Sequence, residues 1–396
     1  MKGDSMKLSD LDTVIDRKHT DCLKYDFAAQ RGKPTDTLPF WIADMDFRVA
    51  DCITEAMQKR VDHGIYGYSD TGNAYFQALA DWQKDCFHWS VRPEWLIKTP
   101  GVVPALNIAV RSLTEEGDAV LINRPVYYPF HAAINNNKRK LVNSPLVYKN
   151  GRYELDFHDI EQKISENQVR LAILCSPHNP VGRVWTKEEL EAYAEICLKH
   201  RVTVICDEIH EDFTYPGHAH IPFASLGRET ADISITCTAP SKTFNIAGLQ
   251  TSNIFIPNES IRKKFREGLD SFGYDQINIM GILACEAAYR GGREWLDTVR
   301  EYIGNNLSFT KAFLQSHLPE MKLIEPEGTY LLWIDCRSYG LSDEELEHKI
   351  LYDAKLWVDM GSIFGPEGNG FFRFNIACPK ATLEQGLQQL NKAFKK

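Results

Sequence analysis

The 396-residue sequence contains no Cys-x-x-Cys pair; its ten cysteines, at 22, 52, 86, 175, 197, 206, 237, 285, 336 and 378, are scattered. This spacing excludes the common zinc-ribbon and dithiol-redox patterns, and cysteines set inside apolar runs behave as small hydrophobes. Long apolar runs are missing too. None approaches the roughly 20 residues of a membrane helix, and the opening MKGDSMKLSDLD is too polar for a secretory signal. There is no excess of positive charge: 45 Lys and Arg against 54 Asp and Glu leave a net −9. A surface for nucleic acid or for an anionic membrane is therefore not expected. Repeats and low-complexity linkers are also absent. What remains is a globular chain with reduced thiols, expected in the cytoplasm, and large enough for two domains or one domain with an appended subdomain.

Between about 95 and 256, short apolar runs alternate with helical patterns. The runs are AVLIN (119–123), LAILC (171–175), VTVIC (202–206), ISITC (233–237) and SNIFI (252–256). Thr186 and Glu189 open one of the intervening helices as a capping box. Continuous rather than alternating apolar strands, separated by helices, predict an α/β fold with a mainly parallel sheet covered on both faces. Such sheets carry their chemistry on loops at the carboxyl ends of the strands. That rule gathers 176–182, 207–210 and 238–248 on one edge. After about 290 the pattern changes to a long helix (293–318), TYLLWID (329–335), a helix capped by Ser342 and Glu345, GFFRFNIACP (370–379), and a last helix with Thr382 and Gln385 at cap positions. This mixture predicts a smaller α+β domain. The expected division is 47–289 for the large domain, and 1–46 with 290–396 for the small one.

The stretch TCTAPSKTFNIAG (236–248) sets Lys242 directly after an apolar run, an unusual place for a solvated lysine. A lysine there can form a Schiff base with a carbonyl cofactor if its amine is desolvated enough to be partly neutral. Asp207 follows VTVIC, and a carboxylate at a buried strand end needs a partner. The protonated ring nitrogen of pyridoxal phosphate is one; a helix N-cap or an ion pair is the alternative. Asn179, before Pro180, offers its amide to the cofactor's 3-oxygen or serves an ordinary Asn-Pro turn. The amides of Val102 and Val103, after Gly101, can bind a phosphate at a helix start. Tyr127 can stack on a ring or fill the core.

Together these residues resemble the fold-type I pyridoxal-phosphate enzymes, the aspartate aminotransferase superfamily, over nearly the whole chain. The segments WIADMDF, YGYSD, TPGVVPALNIAV, RPVYYPF, CSPHNPVGRVW, DEIH and APSKTFNIAG are similar to its cystathionine β-lyase and cysteine C–S lyase branch, which includes cystalysin. The resemblance implies that Lys242 carries pyridoxal 5'-phosphate, Asp207 pairs with its ring nitrogen, Asn179 with its 3-oxygen, and Tyr127 stacks on the ring. It implies a phosphate held by Ser241, Val102 and Val103, with Tyr68 reaching in from a second subunit of a homodimer. Arg373, in FFRFN, would fork onto the substrate carboxylate.

Two positions depart from the aminotransferase pattern. Position 210, where a tyrosine commonly bonds the 3-oxygen, is His210, counted among the cofactor contacts. Position 250, often a phosphate-binding arginine, is Gln250. Both fit the lyase branch. The implied reaction is β-elimination from a sulfur amino acid such as cystathionine: the freed amine of Lys242 removes the α-proton, and Lys242 or Tyr127 protonates the leaving sulfur. An aminotransferase with the same residues is the alternative. A non-catalytic regulatory protein would be expected to lack Lys242 or Asp207. The run HEDFTYPGHAH (210–220) is rich in His210, Glu211, Asp212, His218 and His220, but it has neither an HExxH nor a Cys/His metal spacing, so no metal is expected.

Overall fold

The structure, a computed structural model, describes residues 6–274 and 276–395; the first five residues of the polar opening lie outside them. A seven-stranded sheet is built from β1 (Leu96–Thr99), β2 (Ala119–Ile122), β3 (Lys140–Asn143), β4 (Leu171–Cys175), β5 (Thr203–Asp207), β6 (Ser234–Thr238) and β7 (Ser252–Phe255), in the order β1-β7-β6-β5-β4-β2-β3. The five strands β2 to β6 run parallel. Both faces are covered, which is why these strands read as unbroken apolar runs: Leu171, Ile173 and Cys175 pack on one side of β4, Ala172 and Leu174 on the other.

SNIFI departs from the parallel set. As β7 it lies antiparallel to both β6 and β1. Between β6 and β7 the chain makes only two short helical turns, Pro240–Thr243 and Ala247–Leu249, without the long covering helix that usually returns a parallel strand.

Register fixes the site. Cys175 pairs with Asp207, and Asp207 with Cys237, so β4, β5 and β6 end at one level. The loops 176–182, 207–210 and 238–248 leave from that shared edge. The helix Lys187–His200 follows the first of them, with the expected capping box: Glu189 N–H donates to Thr186 Oγ1 at 3.3 Å, and Thr186 N–H to Glu189 Oε2 at 2.8 Å.

A second, antiparallel sheet holds β8 (Lys322–Leu323), β9 (Leu331–Asp335), β10 (Asp359–Met360) and β11 (Phe371–Asn375) in the order β8-β9-β11-β10. The N-terminal segment joins this region: Leu38–Pro39 pairs with Leu356–Trp357, and Trp41 stacks on Trp357. The last helix, Lys380–Phe394, does not start at a Thr382 cap. It begins after Pro379, and the Lys380 N–H donates to the Tyr302 hydroxyl at 2.8 Å. A side chain from the helix Arg293–His317 thus takes over the capping work. Among the described residues no helix is long and apolar enough to cross a membrane, and all ten cysteines are free.

Candidate active site

Asp207 ends β5 and Lys242 sits in the turn Pro240–Thr243 just past the neighbouring β6, and the pKa of each is shifted from its ordinary value. Lys242 keeps some accessible surface but is surrounded by protein, and burial draws its pKa down to about 8; the carboxylates of Asp44 and Asp207 oppose this, while Arg373 adds to it. Its Nζ donates to the Ala43 carbonyl at 2.6 Å. Asp207 is 3% exposed. Burial raises its pKa to about 7, against the Ile209 N–H, which donates to Oδ1 at 3.2 Å, and against the charge of Lys242. Among the described residues, no cation forms an ion pair with it.

A second buried lysine sharpens the contrast. Lys24 is 1% exposed, yet its pKa is raised: burial acts to lower it, and Asp46 and Asp44 more than compensate. Lys24 Nζ lies 2.9 Å from Asp46 and 3.5 Å from Asp44. Lys24 is held in direct ion pairs, whereas the carboxylates of Asp44 and Asp207 act on Lys242 without an ion-pair contact.

The loop 176–182 positions Asn179. Its main-chain carbonyl accepts from Tyr127 N–H at 3.0 Å, which ties the two predicted ring contacts together. At the end of the loop, Gly182 adopts φ +72°, and a Cβ there would meet the Pro326 backbone at 3.2 Å. Its carbonyl accepts from Glu327 and Gly328 N–H at 2.8 and 2.9 Å, docking the loop against the second sheet's lead-in. Asn179 Oδ1 accepts from Arg373 Nη1 at 2.9 Å, so its amide nitrogen is turned away from the guanidinium and left to donate. Tyr127 is partly buried; burial, then the neighbouring Tyr128, raise its hydroxyl pKa and keep the proton on it.

His210 is buried one turn past Asp207, edge-on to Tyr330 at 5.9 Å. Burial, followed by the charges of Lys242 and Arg373, keeps its ring neutral, and its Nδ1 is enclosed without a partner. The helix Val102–Leu113 starts at Gly101 with no side-chain cap, leaving the amides of Val102 and Val103 as free donors. Ser241 is partly exposed in the turn just before Lys242. Tyr68 is not drawn into this group; it is 99% exposed, beside exposed Ile65 and Tyr66.

Sequence reasoning gave no role to the segment 41–46, which turns out to roof the site. Its carbonyls are taken in turn: Trp41 by Arg373, Ile42 and Asp44 by Asn375, Ala43 by Lys242 and Tyr330, and Met45 by Asn245. Asp359, bonded to Arg373, was missed as well. The signal available was WIADMDF itself, a polar-studded apolar stretch with no period of its own.

The residues of 210–220 do not assemble as one cluster. His210 faces Tyr330, and His218 lies half-exposed beside Glu327. Glu208, Glu211 and His220 do come within 4.8 Å of one another, all buried. Protein donors account for them: Glu208 accepts from Phe223 N–H and meets His220 Nε2 at 3.1 Å, and the Gln83 amide donates to both Glu211 oxygens. Burial and the neighbouring acidic groups hold the Glu211 carboxyl well above the usual range.

Pyridoxal phosphate suits this donor set. The buried Asp207 carboxylate needs a cationic N–H, Lys242 is an amine whose pKa is drawn down to about 8, and a helix start with free amides offers anion donors. The model of the aminotransferase class I and II family matches residues 35–390. The chain is 46% identical over 378 residues to cystathionine beta-lyase PatB of Bacillus subtilis, covering 96% of this chain and 98% of that protein. Among solved structures, cystalysin of Treponema denticola, which contains a pyridoxal 5'-phosphate cofactor, matches with a TM-score of 0.94 at 39% identity, over 97% of this chain and 98% of its own. The pyridoxal-phosphate-bound C–S lyase of Staphylococcus hominis matches with a TM-score of 0.90 at 32% identity, over 98% of each chain.

Proposed function

The chain belongs to the aminotransferase class I and II family, and from that premise we propose how its residues carry out pyridoxal-phosphate-dependent carbon–sulfur β-elimination. The protein is a C–S lyase of the fold-type I group, acting on a small sulfur amino acid; cystathionine is the substrate proposed here. The likeness to the cystathionine β-lyase of Bacillus subtilis over almost the full length of both chains is what carries the lyase reading.

Lys242, Asp207, Asn179, Tyr127 and His210 would hold the ring, and Ser241 with the amides of Val102 and Val103 the phosphate. When bound, pyridoxal phosphate supplies an electron sink for the pair left at the substrate α-carbon. Asp207, fully enclosed, would keep a proton on the ring nitrogen. Lys242, with its pKa near 8, is neutral often enough at cellular pH to take the α-proton as a base. Arg373 orients the substrate through its carboxylate. The proton for the departing sulfur comes from Lys242, which has just gained one, or from the protonated Tyr127. The small second sheet and the segment 41–46 supply the Arg373 side of the site, in keeping with a division into 47–289 and 1–46 plus 290–396.

Incubation with cystathionine and no keto acid is expected to give homocysteine, pyruvate and ammonia over many turnovers. Elimination needs no second substrate, whereas transamination stops after one half-reaction. Turnover that appears only with an added keto acid, with a new amino acid rising in step, would make the protein an aminotransferase.

We infer a homodimer with shared sites. Tyr68 is fully exposed within a run that also exposes Val61, Ile65 and Tyr66, an apolar strip of the kind a partner covers. Gln250, in place of a phosphate-binding arginine, leaves a role for a donor from outside. In verified hybrid dimers of Tyr68→Phe and Lys242→Ala subunits, one site would regain both groups. Activity above that of either parent is expected, and hybrids with no gain would place Tyr68 outside the site. Ten free thiols fit a reducing, cytoplasmic setting.

A further inference from the structure

The geometry points to Asp359 as a built-in competitor for the substrate's α-carboxylate: it holds the Arg373 guanidinium in the free protein and must yield it when an amino acid binds. This rests on the reading of the site as one that binds an α-amino acid.

Asp359 and Arg373 are direct cross-strand partners on β10 and β11, 8% and 3% exposed. A guanidinium carries five N–H donors in a fixed fork. Nη2 has both of its protons committed, one to the Trp41 carbonyl at 2.6 Å and one to Asp359 Oδ2. Nη1 donates to Asn179 Oδ1, and Nε is buried without a partner. Every two-point contact with a carboxylate, along Nε and Nη2 or along Nη1 and Nη2, uses Nη2. One of its present acceptors therefore has to leave.

The Trp41 carbonyl is main chain, in a segment pinned by Asn375 and by stacking on Trp357. Asp359 is a side chain, held at the guanidinium by its Oδ2 contact with Nη2, and it carries the like charge. An incoming carboxylate thus replaces it, one anion for another, with the unpartnered Nε ready as the second donor. Burial raises the pKa of Asp359 while Arg373 and then Lys33 lower it, which marks Arg373 as its main counter-charge. The exchange lets a buried arginine stay paired in the empty site, and it subtracts from the affinity of every carboxylate ligand. An amine without a carboxylate leaves the pair undisturbed and gains nothing from Arg373.

Asp359→Asn keeps the shape and an oxygen acceptor but removes the charge. In the holoenzyme, L-alanine, an amino acid with no β-leaving group, is expected to bind about tenfold more tightly to the variant, the scale of one hydrogen bond to a charged group. Binding is read from the cofactor's visible absorption, and KM for cystathionine should fall with it. Ethylamine, which is alanine without its carboxylate, should bind both proteins alike. In an Arg373→Ala background the effect of Asp359→Asn on alanine should vanish. Equal or weaker alanine binding by a variant that keeps its cofactor band overturns the inference and makes Asp359 a support for Arg373. No response to alanine in either protein overturns the amino-acid reading itself, and this inference with it.

Discussion

Lys242→Ala is expected to reduce turnover by about a thousandfold or more, within the range that a positioned general base contributes, and to abolish covalent attachment of the cofactor. Borohydride treatment of the wild-type holoenzyme should fix pyridoxal phosphate to the peptide containing Lys242, and the same treatment of the variant should leave it removable. Lys24 is the informative rival, since it too is enclosed. Its ammonium is clamped by Asp46 and Asp44 and stays charged, so it offers no lone pair for bond formation. Lys242 meets only a carbonyl oxygen at hydrogen-bond distance. A carbonyl orients the amine without supplying the full counter-charge that would keep its proton on. Label found on Lys24, or turnover surviving in Lys242→Ala, would remove Lys242 from the centre of the mechanism.

Asp207→Asn is expected to act in opposite directions on activity and on the stability of the cofactor-free protein. Loss of the charge proposed to face the ring nitrogen should lower kcat/KM by about 30-fold or more, in line with the 2–5 kcal/mol typical of truncating a buried charge pair. Without cofactor the same carboxylate is a liability. Its pKa rises from the ordinary 3.8 to about 7 in the folded protein, so between those values the folded state binds more protons than the unfolded chain. Stability supplied by the neutral form is present below the ordinary value and is lost as pH rises through about 7. The amide does not ionise. The cofactor-free variant should therefore gain on the cofactor-free wild type as pH rises from 4 to 7, by a few kcal/mol on the order-of-magnitude scale of such a shift. Denaturant unfolding of both proteins at several pH values reads this directly. A constant difference across that range would show that burial does not raise the Asp207 pKa. The cofactor should reverse the ranking, because it brings the cation that the wild-type carboxylate lacks.

The same residues show how far local reading reaches. Lys242, Asp207 and Asn179 were legible because each follows an unbroken apolar run, and a parallel sheet sends the ends of such runs to one edge. The Thr186–Glu189 box was legible because a cap is made by residues three apart. The Thr382 cap expected from sequence does not form for the converse reason: the group that caps that helix, Tyr302, lies 78 residues away in the chain. The apolar run of β7 shows that it belongs to the sheet but not its direction, since an apolar run looks the same from either end.

By itself, then, the sequence determined which side chains stand at the strand ends and in what order, because strand, helix and cap signals are short-range. The protonation of those side chains was decided by tertiary structure. The carbonyl that orients Lys242 comes from Ala43, 199 residues away, and the acceptors on Arg373 come from Trp41, Asn179 and Asp359. Burial and counter-charge depend on what the folded chain packs against each group. Lys24 stays a fixed cation because Asp46 and Asp44 are folded into ion-pair contact with it, whereas Lys242, which meets a carbonyl instead, has its pKa drawn down to about 8.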